Sequence, residues 1–424
     1  MRVIIYPTKL KGRLKAPASK SLTLRAIAAA TLSKGTSIIN NASLCGDAMV
    51  AINIAKALGT TVAINGDTLT ITGNFSAAET SFSVGESGLC MRMFAPIATL
   101  LGTPVHITGE SSLLQRPMQM IDEALAQSGA SCKLMRNTDT VAWRVEGSLK
   151  GGKLLIDGHE TSQALTGLLM ALPLASADSE IYVQNLAGKG YVELTIQLLR
   201  QFGVVIQKQH EGYYKIRGGQ SYKAKEYFVE GDWSGAAFLL AAAALSGEIT
   251  IRNLFGNTKQ PDSSVLKILT LANAPVSVSE QEVFLRKPQG LLRAFNFDAS
   301  DSPDLAPPLA ALAAHCKGTS TIYGIQRLKI KESNRAEVLQ QEFARIGVRI
   351  DLTENTMKIH GGTLTVGEEP VYAHNDHRIA MALAVAACSA NKPLTIEGAE
   401  CVSKSYPAFF TDLQKLGVKV IIDD

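Results

Sequence analysis

Polar and charged clusters interrupt an apolar chain six times, and each opens an apolar run of helical length. The openings are SKSLTLR at Ser19–Arg25, ESGLCMR at Glu86–Arg92, TSQALTG at Thr161–Gly167, GDWSGAA at Gly231–Ala237, DSPDLAP at Asp301–Pro307 and NDHRIAM at Asn375–Met381. Ser21, Gly88, Ser162, Ser234, Leu305 and His377 mark the period, at intervals of 67, 74, 72, 71 and 72 residues. Amphipathic runs ending at Gly59, Gly129, Gly203, Asn273, Gly347 and Gly417 keep the same period. Gly or Asn just past a helix is a left-handed C-cap signal. Four runs continue into two alternating segments that end in glycine: TVAINGDTLTITG, SCKLMRNTDTVAWRVEG, VVIQKQHEGYYKIRGG and VRIDLTENTMKIHGG. The chain is therefore a sixfold internal repeat of buried helix, strand, exposed helix and hairpin, an α/β fold with two classes of helix.

A helix N-terminus leaves backbone N–H groups unpaired and carries partial positive charge, so it attracts anions. Several openings add cations one turn in: Lys20 and Arg25, Arg92, and His377 with Arg378. Any one Ser, Thr or Asp there is also explained as a plain N-cap. Six at one period point further, to a preorganised polyanion site.

Composition narrows the classes. A length of 424 residues predicts two domains, and 46% apolar with 19% charged residues describes a soluble globular protein. A net charge of +4 is too small for a nucleic-acid surface. The start, MRVIIYPTKLKGRLK, lacks the apolar stretch of a signal peptide, and AAFLLAAAAL is too short to span a bilayer. Cys45, Cys90, Cys132, Cys316, Cys388 and Cys401 form no C-x-x-C pair and read as free core thiols, which points to the cytoplasm. His374 and His377 are the only metal-like pair, without a third ligand cluster, so no metal is expected.

The sixth repeat stops at VKVIIDD with no room for its closing strand, while residues 2–17 carry strand signal ahead of the first repeat. The economical solution lets the N-terminal segment complete the last unit. One domain is then residues 19–228, and the other is residues 1–18 plus 229–424. Two chain crossings, near residues 15–18 and 226–231, would suit a hinge closing on a ligand.

This arrangement would gather Lys20, Arg25, Arg92, Arg116, Lys331, Arg335, Arg378 and Lys404. KESNR places Lys331 and Arg335 four apart, with Glu332 beside Lys331. Arginine forks suit carboxylate and phosphate oxygens. Taken together, SKS-x-x-x-R, KESNR and NDHRIAM resemble the EPSP synthase family of the enolpyruvyl transferase superfamily, over essentially the whole chain. The resemblance implies two domains of three βαβαββ units each, an inside-out α/β barrel whose buried helices turn their N-termini toward an interdomain cleft. It also implies transfer of the enolpyruvyl group of phosphoenolpyruvate to the 5-hydroxyl of shikimate 3-phosphate, on the route to chorismate and the aromatic amino acids. No cofactor, nucleic acid or membrane is implied, and a monomer is the family expectation.

Site roles follow from the same resemblance, position by position. Lys20, Ser21 and Arg25 match the first substrate segment, with Lys20 reaching both substrates. Gly88, Arg92 and Arg116 match phosphoenolpyruvate contacts. Thr161, Ser162 and Gln163 match the run that holds shikimate 3-phosphate, with Gln163 also reaching the donor, and Tyr191 matches a substrate-side tyrosine. Asp304 matches the base near the 5-hydroxyl, Lys331 faces the substrate, and Glu332 matches the proton donor to the methylene carbon. Arg335, Arg378 and Lys404 match phosphoenolpyruvate ligands, with His377 beside Arg378. The resemblance assigns the first domain shikimate 3-phosphate and part of the donor site, and the second domain the base and remaining donor ligands.

Some positions depart from the pattern. Leu89 follows Gly88 where many members have Thr, and Met93 stands where many have Pro. Gly188 replaces a serine before Tyr191, and Arg327 aligns with a substrate-contacting Asn. A larger side chain at Leu89 implies weaker inhibition by glyphosate, which inhibition constants for the chain and a Leu89→Thr variant would check. The sister enzyme acting on UDP-N-acetylglucosamine carries a cysteine upstream of the equivalent arginine; here Ser111 stands at that distance from Arg116. A nucleic-acid end-processing protein is disfavoured by the modest charge and 6% aromatic content, and a silent sugar-phosphate sensor by the presence of Asp304, Glu332 and Lys20.

Overall fold

The computed structural model describes residues 1–76, 79–136 and 141–423, so the tip of the hairpin after Arg136 lies outside the described residues. The chain divides into two compact units, Met1–Pro17 with Glu230–Asp424, and Ala18–Val229. Among the described residues each unit contains three sheets and its own apolar core.

All six sheets share one strand order. An edge strand lies parallel to a central strand; the second hairpin strand pairs antiparallel with the central one and carries the first hairpin strand outside it. In the fifth sheet these are Asn296–Asp298, Gly318–Tyr323, Thr356–Gly361 and Arg349–Leu352. Between edge and central strands runs a fully buried helix, here Ala306–Ala313, opened by prolines where the missing N–H costs nothing. The corresponding helices are Lys20–Leu32, Gly88–Ala98, Gln163–Ala171, Trp233–Ser246 and His377–Ala387. Their Ala-rich sequences have no polar face because they have no solvent face. The second helix of each repeat, such as Arg335–Arg345, buries one stripe only.

All six helix-ending residues, Gly59, Gly129, Gly203, Asn273, Gly347 and Gly417, have φ between +67° and +89°. At two of the glycines that end the hairpins the cause is different. A Cβ on Gly73 would stand 2.0 Å from the Ser33 carbonyl oxygen, and one on Gly361 would stand 2.1 Å from that of Cys316. There the hairpin crosses backbone just where a buried helix becomes the central strand.

The N-terminal segment serves two sheets rather than one. Arg2–Ile5 inserts between Leu394–Glu397 and Val420–Asp423, completing the sixth repeat. Leu10–Lys15 instead runs parallel to Gly247–Arg252 as the edge of the fourth sheet. Reciprocally, Tyr222–Lys223 and Glu226–Phe228 form the parallel edge of Ser33–Asn40 in the first sheet. The segments expected as bare crossings are therefore partly strands. The fourth repeat also has its hairpin, Val276–Val278 with Glu282–Arg286, although no glycine ends it.

All six cysteines are buried and unbridged. Burial pushes the Cys132, Cys316, Cys388 and Cys401 thiols up to about 12, so they stay protonated and unreactive. Among the described residues no helix is long and apolar enough to cross a membrane.

Candidate active site

In the unit Ala18–Val229, three buried helices bring their polar openings to one cluster. Ser19 caps Lys20–Leu32 by accepting from the Leu22 N–H at 3.4 Å, which leaves Lys20 in the first turn. Lys20 Nζ donates to Asp47 Oδ2 at 2.8 Å. Arg25, 2% exposed, donates Nε to Thr195 Oγ1 at 2.9 Å, Nη1 to the Ser21 carbonyl at 2.9 Å and Nη2 to Thr166 Oγ1 at 3.3 Å. Burial lowers this guanidinium to about 10. Its hydrogen-bond partners are hydroxyls and a carbonyl, so the buried charge gains from an incoming anion.

Arg92 is likewise buried. Nη1 donates to Gln163 Oε1 at 2.7 Å, and Nε and Nη2 donate to the Pro117 carbonyl at 3.3 and 2.8 Å. Gly88 is where it is for space: a Cβ would stand 2.9 Å from both Arg92 Nη1 and Arg116 Nη1. Gly167 allows the helix it lies on to touch its neighbour, since a Cβ there would meet the Arg92 carbonyl oxygen at 2.3 Å. Met93 is fully buried, its Cα 3.0 Å from that position, so it belongs to helix packing. Leu89 is buried beside Gly88. Thr161 Oγ1 accepts from the Gln163 N–H at 3.1 Å, while Ser162, at the cap position, makes no side-chain capping bond. Tyr191 is half-buried, and its carbonyl accepts from Thr195 Oγ1 at 2.8 Å. Gly188 has φ +68° and ψ +41° at the start of that helix. A serine there would cost on the order of 1–2 kcal/mol in backbone strain, which accounts for the glycine locally.

In the other unit the centre is Arg335, 1% exposed, at the first position of Arg335–Arg345. It donates Nε to Asp376 Oδ2 at 2.8 Å and Nη1 to Asp304 Oδ1 at 2.8 Å, and Nη2 binds Glu332. These carboxylates hold the guanidinium charged at any working pH, outweighing its burial. Asp376, fully buried, caps His377–Ala387 by accepting from the Arg378 N–H at 2.9 Å and accepts from Ser333 Oγ at 3.0 Å. Asp304 lies inside the turn Pro303–Leu305 and not at a cap position. Its carboxylate faces Arg378 Nη2 at 3.1 Å and Lys331 Nζ at 3.6 Å, as well as Arg335. Burial raises the Asp304 pKa, but Arg378, Lys331 and Arg335 together hold it well below the usual carboxylate range. Burial lowers the Lys331 ammonium to about 8; Asp304 pulls it up, and Arg327 and Arg335 push it down. Lys404 Nζ donates to the Asn375 carbonyl at 2.8 Å. Arg327 Nη1 donates to the Ser300 carbonyl at 2.7 Å.

The sequence-predicted residues thus form two cationic clusters, one in each unit. Arg335, expected as a ligand of the donor, holds three protein carboxylates. His374 Nε2 faces Glu342 Oε1 at 2.8 Å, and His377 is buried behind Asp376. Sequence reading missed Asp47, Thr166, Thr195 and Glu342. Thr166 lies one turn beyond Ser162, which was a signal; the other three are far in sequence from the groups they hold.

Comparison with known proteins identifies the family. Residues 5–413 match the family model described as EPSP synthase (3-phosphoshikimate 1-carboxyvinyltransferase). A 3-phosphoshikimate 1-carboxyvinyltransferase of Clostridium perfringens is 37% identical over 420 residues, covering 98% of both chains. One of Methanocorpusculum labreanum is 36% identical over 422 residues, covering 98% of this chain and 99% of its own. The structure of EPSP synthase from Acinetobacter baumannii superposes with a TM-score of 0.83 at 23% identity, covering 99% of this chain and 100% of that one. The enolpyruvyl transferase NikO from Streptomyces tendae gives 0.81 at 18% identity, covering 99% and 98%. These two share the fold. With the family model spanning nearly its whole length, the chain belongs to the EPSP synthase (3-phosphoshikimate 1-carboxyvinyltransferase) family.

Proposed function

We propose that the two clusters divide one reaction, the transfer of the enolpyruvyl group of phosphoenolpyruvate to the 5-hydroxyl of shikimate 3-phosphate with release of phosphate. The observation that carries this reading is the setting of Asp304, a carboxylate among Arg335, Arg378 and Lys331 with Glu332 on the same arginine. Both substrates carry a phosphate and a carboxylate, and such a field favours them where water is scarce. The unit Ala18–Val229 takes shikimate 3-phosphate through Lys20, Ser21, Arg25, Thr161, Ser162, Gln163 and Tyr191, and part of the donor through Gly88, Arg92 and Arg116. The other unit supplies Asp304, Lys331 and Glu332, with Arg335, His377, Arg378 and Lys404 toward the donor.

In the addition, Asp304 takes the hydroxyl proton while the oxygen bonds to C2 of phosphoenolpyruvate. Glu332 protonates the methylene carbon, giving a tetrahedral intermediate. In the elimination the methyl group returns its proton to Glu332, the C2–phosphate oxygen bond breaks, and Asp304 passes the hydroxyl proton to the departing phosphate. Acid and base therefore each act twice. The field of Arg378, Lys331 and Arg335 lowers the proton affinity of Asp304. A donor carboxylate settling on Arg378 offsets part of the field and raises that affinity when it is needed.

Phosphate release that depends on shikimate 3-phosphate, with an enolpyruvyl product by mass, is the expected result. Release supported instead by UDP-N-acetylglucosamine would overturn the acceptor assignment. The chain is taken to act as a cytoplasmic monomer on these small molecules, and a dimer mass by light scattering would correct that.

Two further outcomes follow from the geometry. Gly88→Ala is expected to lower stability by about 1–3 kcal/mol, since its new methyl presses on the ends of two buried arginines, one of them hydrogen-bonded to Gln163. The same displacement should raise the KM for phosphoenolpyruvate on the order of 10–100-fold, the loss of one charge-assisted hydrogen bond. An unchanged KM would remove Arg92 and Arg116 from the donor site. Burial holds the Lys331 ammonium down at about 8, so kcat/KM should fall as pH rises through that value and the ammonium discharges. Lys331→Arg keeps its charge and should lose that limb; an identical limb in the variant would assign it to another group.

A further inference from the structure

The loop ahead of Arg378 holds an uncommon backbone. His374 and Asn375, neither a glycine, have φ of +51° and +55° in succession. Each left-handed residue of this kind costs on the order of 1–3 kcal/mol and persists only where its surroundings fix it. Helix Arg335–Arg345 supplies the fixing at both ends of the loop. At its first position Arg335 grips Asp376, the residue that caps the Arg378 helix. Two turns on, Glu342, which is fully buried, accepts from the Tyr372 N–H at 2.9 Å with Oε2 and from His374 Nε2 at 2.8 Å with Oε1. Arg345, a further three residues on, places Nε 3.5 Å from Glu342 Oε2 and lies over the Tyr372 ring at 5.5 Å. Between these grips the chain turns through the Asp376 N–H to Ala373 carbonyl bond of 2.9 Å, and the Asn375 carbonyl is presented to Lys404.

A buried carboxylate needs its partners, and this one takes all three from the loop and its own helix. We propose that Glu342 and His374 are positioning residues that hold the 372–376 loop in its left-handed form and so aim Arg378 and Lys404 for the donor; this rests on the function proposed above. With the brace removed, the loop relaxes toward ordinary backbone, Asp376 shifts as a cap, and Arg378 moves with its helix start.

The test pairs His374→Asn, which tolerates the left-handed backbone but is too short to reach Glu342, with Glu342→Gln, which keeps an oxygen for Tyr372 and an amide for the His374 ring. Amide hydrogen exchange of residues 372–378 and steady-state kinetics are measured on both and on the unaltered chain. The expected result is exchange roughly tenfold faster over 372–378 in His374→Asn, confined to that segment, and a KM for phosphoenolpyruvate raised roughly tenfold with kcat and the shikimate 3-phosphate KM within about twofold. Glu342→Gln should recover most of both. Unchanged exchange in His374→Asn would overturn the brace. Faster exchange with both KM values rising alike, or spread over the whole unit, would reduce it to general stability and overturn the positioning role. If the unaltered chain does not turn over, the proposed function fails by itself and the positioning role falls with it, while the exchange data still decide whether the brace holds the loop.

Discussion

Replacing Arg335 with alanine is expected to lower the melting temperature by roughly 6–20 °C, corresponding to about 3–5 kcal/mol for a unit of this size. The loss is large because the guanidinium is 1% exposed and the Asp376 carboxylate is fully buried, so its removal strands a charge with no water to take its place. Asp304 and Glu332 lose the same partner. Arg335→Lys keeps the charge but not the fork, and one ammonium cannot reach three carboxylates, so it should fall between the two. Scanning calorimetry of all three proteins measures this. A shift of less than about 2 °C for Arg335→Ala would mean that the carboxylates find other partners and that the hub has little structural weight. Activity in either variant should fall further than stability explains, since Asp376 positions the first N–H groups of the Arg378 helix.

The second large effect is on chemistry. Asp304→Asn should leave the protein folded and lower kcat by about 10²–10⁴-fold, the usual weight of a positioned acid or base. It should also shift the pH profile. Asp304 supports the charge on Lys331, so removing its negative charge lets the lysine fall below its present value of about 8, and the basic limb of kcat/KM should move to lower pH. Stability gives a third reading with a fixed sign. The folded Asp304 pKa is depressed, so its contribution is present above the unfolded value of about 3.9 and is lost as pH falls through the lower folded value. The variant should therefore lose less stability than the unaltered chain between about pH 4 and 2. A kcat within tenfold of the unaltered enzyme would take the base role from Asp304.

Much of this protein is local and so was legible along the chain. The period appears because each repeat must end its exposed helix with a residue that tolerates positive φ, and all six do. The buried helices declare themselves by apolar residues on every side, and several cations of the two clusters, such as Lys20, Arg92, Arg335 and Arg378, lie in short motifs at helix starts. Four cap positions, Ser19, Ser87, Asp232 and Asp376, hold capping bonds. Asp304 does not, although DSPDLAP reads like a cap; its turn aims the carboxylate at Arg378 instead.

What depends on residues far apart was not legible. Leu10–Lys15 pairs with Gly247–Arg252, and Glu226–Phe228 with Ile38–Asn40, because each unit must cover an edge that its own contiguous repeats leave open. No periodicity carries that instruction. The same holds for Lys20 on Asp47, Arg25 on Thr195 and His374 on Glu342, pairs whose members lie 27, 170 and 32 residues apart. The sequence by itself determined the repeat, the two kinds of helix, the caps and the identity of the charged groups, since these follow from spacing and side-chain chemistry over a few turns. Only the tertiary structure decided which strand closes which sheet and which charge faces which. Burial removes the water that would otherwise satisfy each group, and its neighbours across the fold must do so instead.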